Sequence, residues 1–175
     1  MSTTLPEPSW RAWHDDEPIR LGISSCLLGA KVRFDGGHKQ DRYLTDVLGE
    51  WFRWVPVCPE LEIGLGVPRP SIHLVHTAPH PRLVEPKSGE DLTERMESYS
   101  RAKVEELGDR DLDGYILKRA SPSCGMERVK VFGAGGMPAK DGVGVFARIL
   151  MERWPLLPVE EEGRLNDPVL RERFI

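Results

Sequence analysis

The chain is poor in cysteine and has no paired cysteine motif. It contains three cysteines, Cys26, Cys58 and Cys124. An odd, small number excludes the dense disulfide framework of small secreted domains. The three are far apart in sequence, and no two have the spacing of a C-x-x-C redox motif or a zinc knuckle. Any joint role for these thiols therefore depends on the fold bringing them together.

Long apolar runs and an excess of positive charge are also missing. No apolar run approaches the about 20 residues of a membrane-spanning helix. Residues 1–18 are polar, acidic and interrupted by proline, and they lack the apolar core of a signal peptide. We expect them to form a flexible leader on a cytoplasmic protein. The net charge of -4 argues against broad, nonspecific nucleic-acid binding, although a local basic patch remains compatible with it.

The residues that are present predict a single α/β domain. A chain of 175 residues with 39% hydrophobic content can bury a substantial core. Apolar patterns predict strands that alternate with amphipathic helices. The predicted strands cover residues 19–25, 54–58 and 115–117, and the predicted helices cover 41–52, 90–107 and 143–154. Such alternation is typical of a mainly parallel sheet flanked by helices.

Shorter segments complete the prediction. Residues 72–75 and 82–84 are expected to form an antiparallel side element, and 129–132 a short strand or bend. Asp141 is expected to cap the helix over 143–154, and 156–159 to form a last strand. The domain is predicted to span 19–160. Residues 161–175 are predicted to be a C-terminal helical extension, which would suit a linker to a second domain.

The three cysteines share one position relative to the predicted strands. Each lies at or just after a strand end, and parallel strands end at the same edge of a sheet. Ligands of open α/β sheets bind beyond that edge. We therefore expect Cys26, Cys58 and Cys124 to converge there. Glu60 follows Cys58 by two residues, so the same strand end directs a carboxylate into this space.

Three interpretations of the converging cysteines remain open from the residues alone. Free cysteines in such a domain are often small buried hydrophobic residues. A structural zinc site would need a fourth ligand, for which His38 is the nearest candidate histidine. A metal centre held by three thiolates would keep one position open for a substrate atom, and soft thiolates favour zinc, Cu(I) or iron–sulfur iron.

The sequences around the cysteines resemble those of a known family. The segments are Gly22-Ile-Ser-Ser-Cys-Leu-Leu-Gly29, Val55-Pro-Val-Cys-Pro-Glu60 and Ala120-Ser-Pro-Ser-Cys-Gly125, together with residues 32–38 and 64–69. They are similar to the DUF523 family, which is associated with thiouracil desulfidases of the TudS type. The resemblance extends from about residue 19 to 159. Residues 157–166 resemble the point at which longer members, similar to desulfidases of thiolated tRNA, continue into a second domain, DUF1722.

The resemblance implies a cofactor and a set of site residues. It implies a [4Fe-4S] cluster with three cysteine ligands and one open iron, which takes up the sulfur of a thiouracil ring. The implied ligands are Cys26, Cys58 and Cys124, and the implied catalytic residues are Glu60 and Ser121. Matching motif positions also suggest four residues that shape the substrate pocket, namely Ser25, Asp35, Lys118 and Ser123.

The sequence thus favours an iron–sulfur desulfidase. Its substrate would be a small thiouracil base or nucleotide, or a thiolated uridine in tRNA. Two rival hypotheses remain. One is a noncatalytic domain whose cysteines hold a structural zinc and which assists tRNA binding. The other is a thiol redox protein.

Overall fold

The structure is a computed structural model, and it describes residues 18–175. The predicted leader, apart from Pro18, lies outside the described residues. Within them the chain forms eight strands: β1 (Ile19–Ser24), β2 (Phe52–Val57), β3 (His73–Val75), β4 (Arg82–Val84), β5 (Gly114–Leu117), β6 (Val129–Phe132), β7 (Ala139–Gly142) and β8 (Val159–Glu161).

Four α-helices and several tight turns connect these strands within the same residues. The α-helices are α1 (Pro59–Glu62), α2 (Thr93–Gly108), α3 (Val145–Arg153) and α4 (Pro168–Phe174). Single 3-10 turns cover Ser25–Leu28, Leu48–Glu50 and Arg164–Asn166, and a π turn covers Tyr43–Val47. None of the helices described in residues 18–175 combines the length and the apolar character that crossing a membrane requires.

The main sheet has the strand order β2-β1-β5-β8, and all of its strand pairs are parallel. The prediction of an α/β domain with a mainly parallel sheet flanked by helices is therefore confirmed. β1 is a central strand, since Leu21 lies opposite Trp54 of β2 and opposite Gly114 of β5. Parallel order sends the chain out of β1, β2 and β5 at the same edge.

Side chains alternate between the two faces of this sheet, as the strand period requires. Tyr115 and Leu117 of β5 join the larger core, which includes the buried faces of α2 and α3. Ile116 points to the opposite face and packs in a smaller core with Leu21 and Ile23 of β1. The sheet is therefore covered on both faces, as expected for parallel strands.

A second sheet lies beside the first. Its order is β4-β3-β6-β7, with antiparallel pairs at both edges and a parallel pair between β3 and β6. The predicted antiparallel pair and the predicted strand at 129–132 are confirmed. The sequence did not indicate that they join one sheet, because β7 carries few of the residues that favour strands.

Three local predictions were wrong. The helix expected over 41–52 is a π turn followed by a 3-10 turn, and Phe52 already belongs to β2, where it pairs with Ile19. Asp141 does not cap α3, because it lies in β7 and Gly144 precedes the helix. The last strand lies at Val159–Glu161 rather than 156–159.

We predict that Gly22→Ala destabilises the fold. Gly22 lies in β1, and a Cβ atom there would overlap the ring of Tyr115, which is completely buried. Overpacking of this kind costs about 1–3 kcal/mol, so urea unfolding should begin at a lower concentration. Gly133→Ala is the matched control, because its added methyl meets no described atom within 4 Å. Equal midpoints for the two variants would contradict the prediction.

Candidate functional site

The carboxyl edge of the main sheet contains a cavity of about 290 Å³. The ends of β1, β2 and β5 form its wall, together with the loop that follows each strand. Cys26, Cys58 and Cys124 all line it, and we call it the cysteine cavity. The predicted convergence of the three thiols therefore agrees with the fold.

Each cysteine reaches the cavity from a different local structure. Cys26 lies in the 3-10 turn directly after β1, and Cys58 is the residue between β2 and α1. Cys124 lies in the loop after β5. All three are free thiols, with Cys26 and Cys124 buried and Cys58 half-buried. Among residues 18–175, no three His, Cys, Asp or Glu side chains are grouped as they would be around a single metal ion, so the three thiols are spread around the cavity wall.

The loop that carries Cys124 is a tight turn fixed at both ends. The hydroxyl oxygen of Ser121 accepts hydrogen bonds from the backbone N–H groups of Ser123 (3.2 Å) and Cys124 (3.0 Å). The Ser123 carbonyl accepts a 2.9 Å bond from the amide of Phe146 at the start of α3. Because the first amides of a helix need such acceptors, the turn and α3 stabilise each other.

Two acidic side chains, one at the end of β8 and one directly after it, hold the same loop from the other side. A carboxylate oxygen of Glu161 accepts a hydrogen bond from the amide of Met126 at 2.8 Å. Glu162 accepts one from the amide of Arg119 at 2.7 Å and also pairs with the ammonium of Lys118. The segment around Cys124 is therefore anchored before and after the cysteine.

Burial makes all three thiols hard to ionise in the metal-free protein. Desolvation raises the pKa of Cys26 to about 11, and the positive charge of Lys118 only partly opposes it. Burial also raises the pKa of Cys58, and it raises that of Cys124 well above its usual value, although a hydrogen bond from Ser24 opposes the shift. A reactive redox cysteine needs a lowered pKa instead, so the environment disfavours the thiol redox hypothesis.

Glu60 lies on the first turn of α1 and is held by three hydrogen bonds. Its Oε2 accepts two of them from Arg69, at 3.1 Å from Nε and 2.7 Å from the terminal nitrogen. Its Oε1 accepts one from the hydroxyl of Ser123 at 3.0 Å. We call Arg69, Glu60 and Ser123 the Glu60 network. It connects the end of β2 with the loop that carries Cys124.

Comparisons with known proteins agree with this geometry. A family model described as 2-thiouracil desulfurase matches residues 21–162. The chain belongs to this family. It is 30% identical over 150 residues to the uncharacterized protein YbbK of Bacillus subtilis (strain 168), which covers 83% of this chain and 97% of YbbK. Among solved structures it is similar to the [4Fe-4S]-dependent thiouracil desulfidase TudS, with a TM-score of 0.70, 27% identity, and coverage of 90% of this chain and 99% of that one.

Within this member of the desulfurase family, the predicted site residues fall into three groups. Ser25, Glu60, Lys118 and Ser121 line the cysteine cavity together with the cysteines. Ser123 is completely buried and reaches the site through Glu60.

Asp35 and His38 lie apart from the cavity wall. Asp35 is exposed, and its carboxylate accepts the Gly37 amide at 2.9 Å. Since Arg33 and Phe34 do line the cavity, Asp35 acts on the loop that carries them. His38 is also exposed and is not among the residues that line the cavity, which disfavours it as the fourth ligand of a zinc site there.

Sequence reasoning missed two residues of this family member's site. Arg69 lines the cavity, and its side chain is only 4% exposed. Ser24 is buried, and its hydroxyl accepts the amide of Lys118 at 3.0 Å. Arg69 lies inside a segment that resembles the family. An arginine within a Gly- and Pro-rich loop is the sequence feature that could have identified it as a site residue. Nothing in the sequence distinguished Ser24 from Ser25.

We predict that Gly144→Ala loosens the loop around Cys124. A Cβ at Gly144 would lie 2.5 Å from the carbonyl carbon of Ser123 and 2.8 Å from the amide of Cys124. A cost of about 1–3 kcal/mol would raise the open population of the loop about 5- to 150-fold. Alkylation of Cys124 in metal-free protein, followed by mass spectrometry, should accelerate accordingly. Gly135→Ala, whose methyl meets nothing within 4 Å, should leave the rate unchanged, and equal rates for both variants would contradict the prediction.

Proposed function

We propose that this protein is an iron–sulfur desulfidase that replaces the thiocarbonyl sulfur of a thiouracil ring with oxygen. The observation that carries the proposal is the cysteine cavity, in which three free thiols and Glu60 line one enclosure. Family membership supports the reaction class. The similarity to a solved [4Fe-4S]-dependent thiouracil desulfidase supports the cofactor.

The residues present fit an iron–sulfur cluster. Thiolates are the usual protein ligands of iron–sulfur clusters, and Cys26, Cys58 and Cys124 provide three of them. A cluster of several atoms separates its ligands more widely than a single ion does, in keeping with thiols set around a cavity of about 290 Å³. When bound, a [4Fe-4S] cluster with three cysteine ligands supplies one open iron, a Lewis acid that takes up sulfur.

Glu60 is suited to accept one proton. A carboxylate offers about four lone-pair sites, and the Glu60 network fills three of them. The remaining site is on Oε1. From this position the carboxylate can accept a proton from a water that attacks the ring carbon, as a general base does.

Ser121 is suited to donate rather than accept. Its oxygen already accepts two backbone amides, so the hydroxyl hydrogen is what it offers to a substrate in the cavity. We assign it to the ring oxygen or nitrogen of the bound base. Ser25 and Lys118 line the same wall, where the ammonium of Lys118 is held by its ion pair with Glu162.

The proposed reaction is a hydrolysis without net electron transfer. The water oxygen forms a bond to the ring carbon while the carbon–sulfur bond breaks. Sulfur leaves with the bonding electrons as sulfide. The two protons of water pass to Glu60 and to the departing sulfide, and the product is the oxo form of the ring.

A neighbouring groove supports a phosphorylated substrate rather than a free base. This cavity of about 500 Å³ shares Arg119 and Ala120 with the cysteine cavity. It is also lined by Arg128, Lys130 and Lys140, and we call it the basic groove. These four cations form no salt bridge with a carboxylate among residues 18–175. A fifth cation of the groove, Arg164, is paired with Glu127 and Glu160, and the carboxylates of Glu127 and Glu161 also line the groove.

Unpaired cations are free to bind phosphate oxygens. We therefore propose that a thiouridine nucleotide places its ring in the cysteine cavity and its phosphate in the basic groove. A thiolated uridine of tRNA could use the same groove for its backbone.

The main test of the proposed function is anaerobic. Purified protein should contain iron and sulfide, and it should remove the thiocarbonyl absorbance of 2- or 4-thiouracil derivatives while releasing sulfide. Glu60→Gln should keep the iron content and lower the rate by about 10²- to 10⁴-fold, which is the usual contribution of a general base. Cys26→Ala should instead lose iron.

The rival hypotheses give different results in the same experiment. A colourless protein with bound zinc and no loss of thiocarbonyl absorbance would support the structural-zinc hypothesis. Unchanged turnover of Glu60→Gln would remove Glu60 from the proposed mechanism. Lys87→Gln is a surface control, because Lys87 lies in neither cavity.

The basic groove generates a separate prediction. Lys130 and Lys140 are paired residues of β6 and β7, so both can contact one phosphate. Lys130→Gln with Lys140→Gln should raise KM for a thiouridine monophosphate about 10-fold or more, since a hydrogen bond to a charged group is worth about 1.5–3 kcal/mol. The KM for free thiouracil should not change. An equal change for both substrates would rule out a phosphate role for the groove.

A further inference from the structure

Arg69 connects three segments around the cysteine cavity. Its guanidinium donates two hydrogen bonds to Oε2 of Glu60 and one, at 2.8 Å, to the carbonyl of Gly66. Its backbone amide donates to the carbonyl of Phe34 at 2.9 Å. The side chain of Arg69 therefore joins the Gly66 turn to α1, and its backbone joins both to the loop that contains Phe34.

The Arg69–Glu60 pair is shielded from solvent. The side chain of Arg69 is 4% exposed and that of Glu60 is 15% exposed. Surface ion pairs are mobile and contribute little, whereas a shielded guanidinium with two bonds to one oxygen fixes its partner in position. Ser123 donates to the other oxygen, so the plane of the carboxylate is defined from both sides.

We infer that Arg69 is a positioning residue that aims the one free acceptor site of Glu60 at the substrate. Three of the four acceptor sites are occupied, and the choice of occupied sites decides where the fourth points. Arg69 takes both sites of Oε2, which leaves the free site on Oε1. The kinetic consequence of this inference rests on the proposed function. The contact between Arg69 and Glu60 does not depend on that function.

Lysine cannot replace this arginine. An ammonium is a point charge on a flexible stem, whereas a guanidinium is a rigid fork that donates several bonds in one plane. Arg69→Lys would keep the charge and lose the fork, so that Glu60 can rotate. Displacement of a catalytic group by about 1 Å can cost about 100-fold in rate.

The kinetic test uses the iron-loaded protein. Arg69→Lys should keep the parental iron and sulfide content and the parental KM, while kcat per bound iron falls about 10- to 100-fold. Arg148→Lys is a matched control. Arg148 is 15% exposed and pairs with Glu97 at 2.7 Å between α3 and α2, and it does not line the cysteine cavity, so its kcat should not change.

Chemical rescue separates positioning from a structural role. Arg69→Ala removes the guanidinium, and added guanidinium ion should restore a part of kcat, while urea of the same shape without charge should not. If the Arg69→Ala protein fails to fold, kcat of Arg69→Lys is the measurement that tests the inference. An unchanged kcat for Arg69→Lys would overturn the inference.

A coupling measurement distinguishes failure of this inference from failure of the proposed function. In a double-mutant cycle of Arg69→Lys and Glu60→Gln, the effects on unfolding should be non-additive, because the residues are in contact. This readout needs no activity. A parent protein without desulfidase activity would overturn the proposed function, and the unfolding data would still test the contact between Arg69 and Glu60. Additive effects on unfolding would overturn the inference that Arg69 positions Glu60.

Discussion

The parallel pairing of β1 with both β2 and β5 is the constraint on which the site depends. Ser24 lies opposite Val57 of β2, and Ile23 lies opposite Ile116 of β5. This register ends the three strands at one level. The segments that follow them must then bend away at the same edge, which is how cysteines far apart in sequence come to line one cavity.

The strands that build this edge were predictable from the sequence because local pattern and tertiary role agree there. β1, β2 and β5 are short apolar runs that end in turn residues. The segment 41–52 was predicted as a helix from its apolar spacing, but pairing of Phe52 with Ile19 takes its end into β2. β7 gave no signal, since its sequence Ala-Lys-Asp-Gly is polar and its place is set by long-range pairing with β6.

Some residues of the candidate site could likewise be predicted from the sequence, and others could not. The cysteines and Glu60 could be predicted because they occupy strand ends and stand in motifs that resemble a family. The role of Arg69 could not, because it depends on contacts with Glu60 and Ser123 that only the folded chain creates. Ser123 likewise stands in a resembling motif, but whether it faces the cavity or the carboxylate depends on how the turn packs against α3.

Charge placement explains how an acidic chain can present a positive groove next to its cavity. Glu127, which lines the groove, is paired with Arg164. Glu161 and Glu162 are turned toward backbone amides: Glu161 accepts from Met126, and Glu162 accepts from Arg119. Glu162 also pairs with Lys118 on the cavity wall. Because these carboxylates are engaged by the loop around Cys124, the exposed cations of β6 and β7 remain uncompensated among the described residues. The contacts that hold the cysteine loop in place therefore also leave a positive surface beside it.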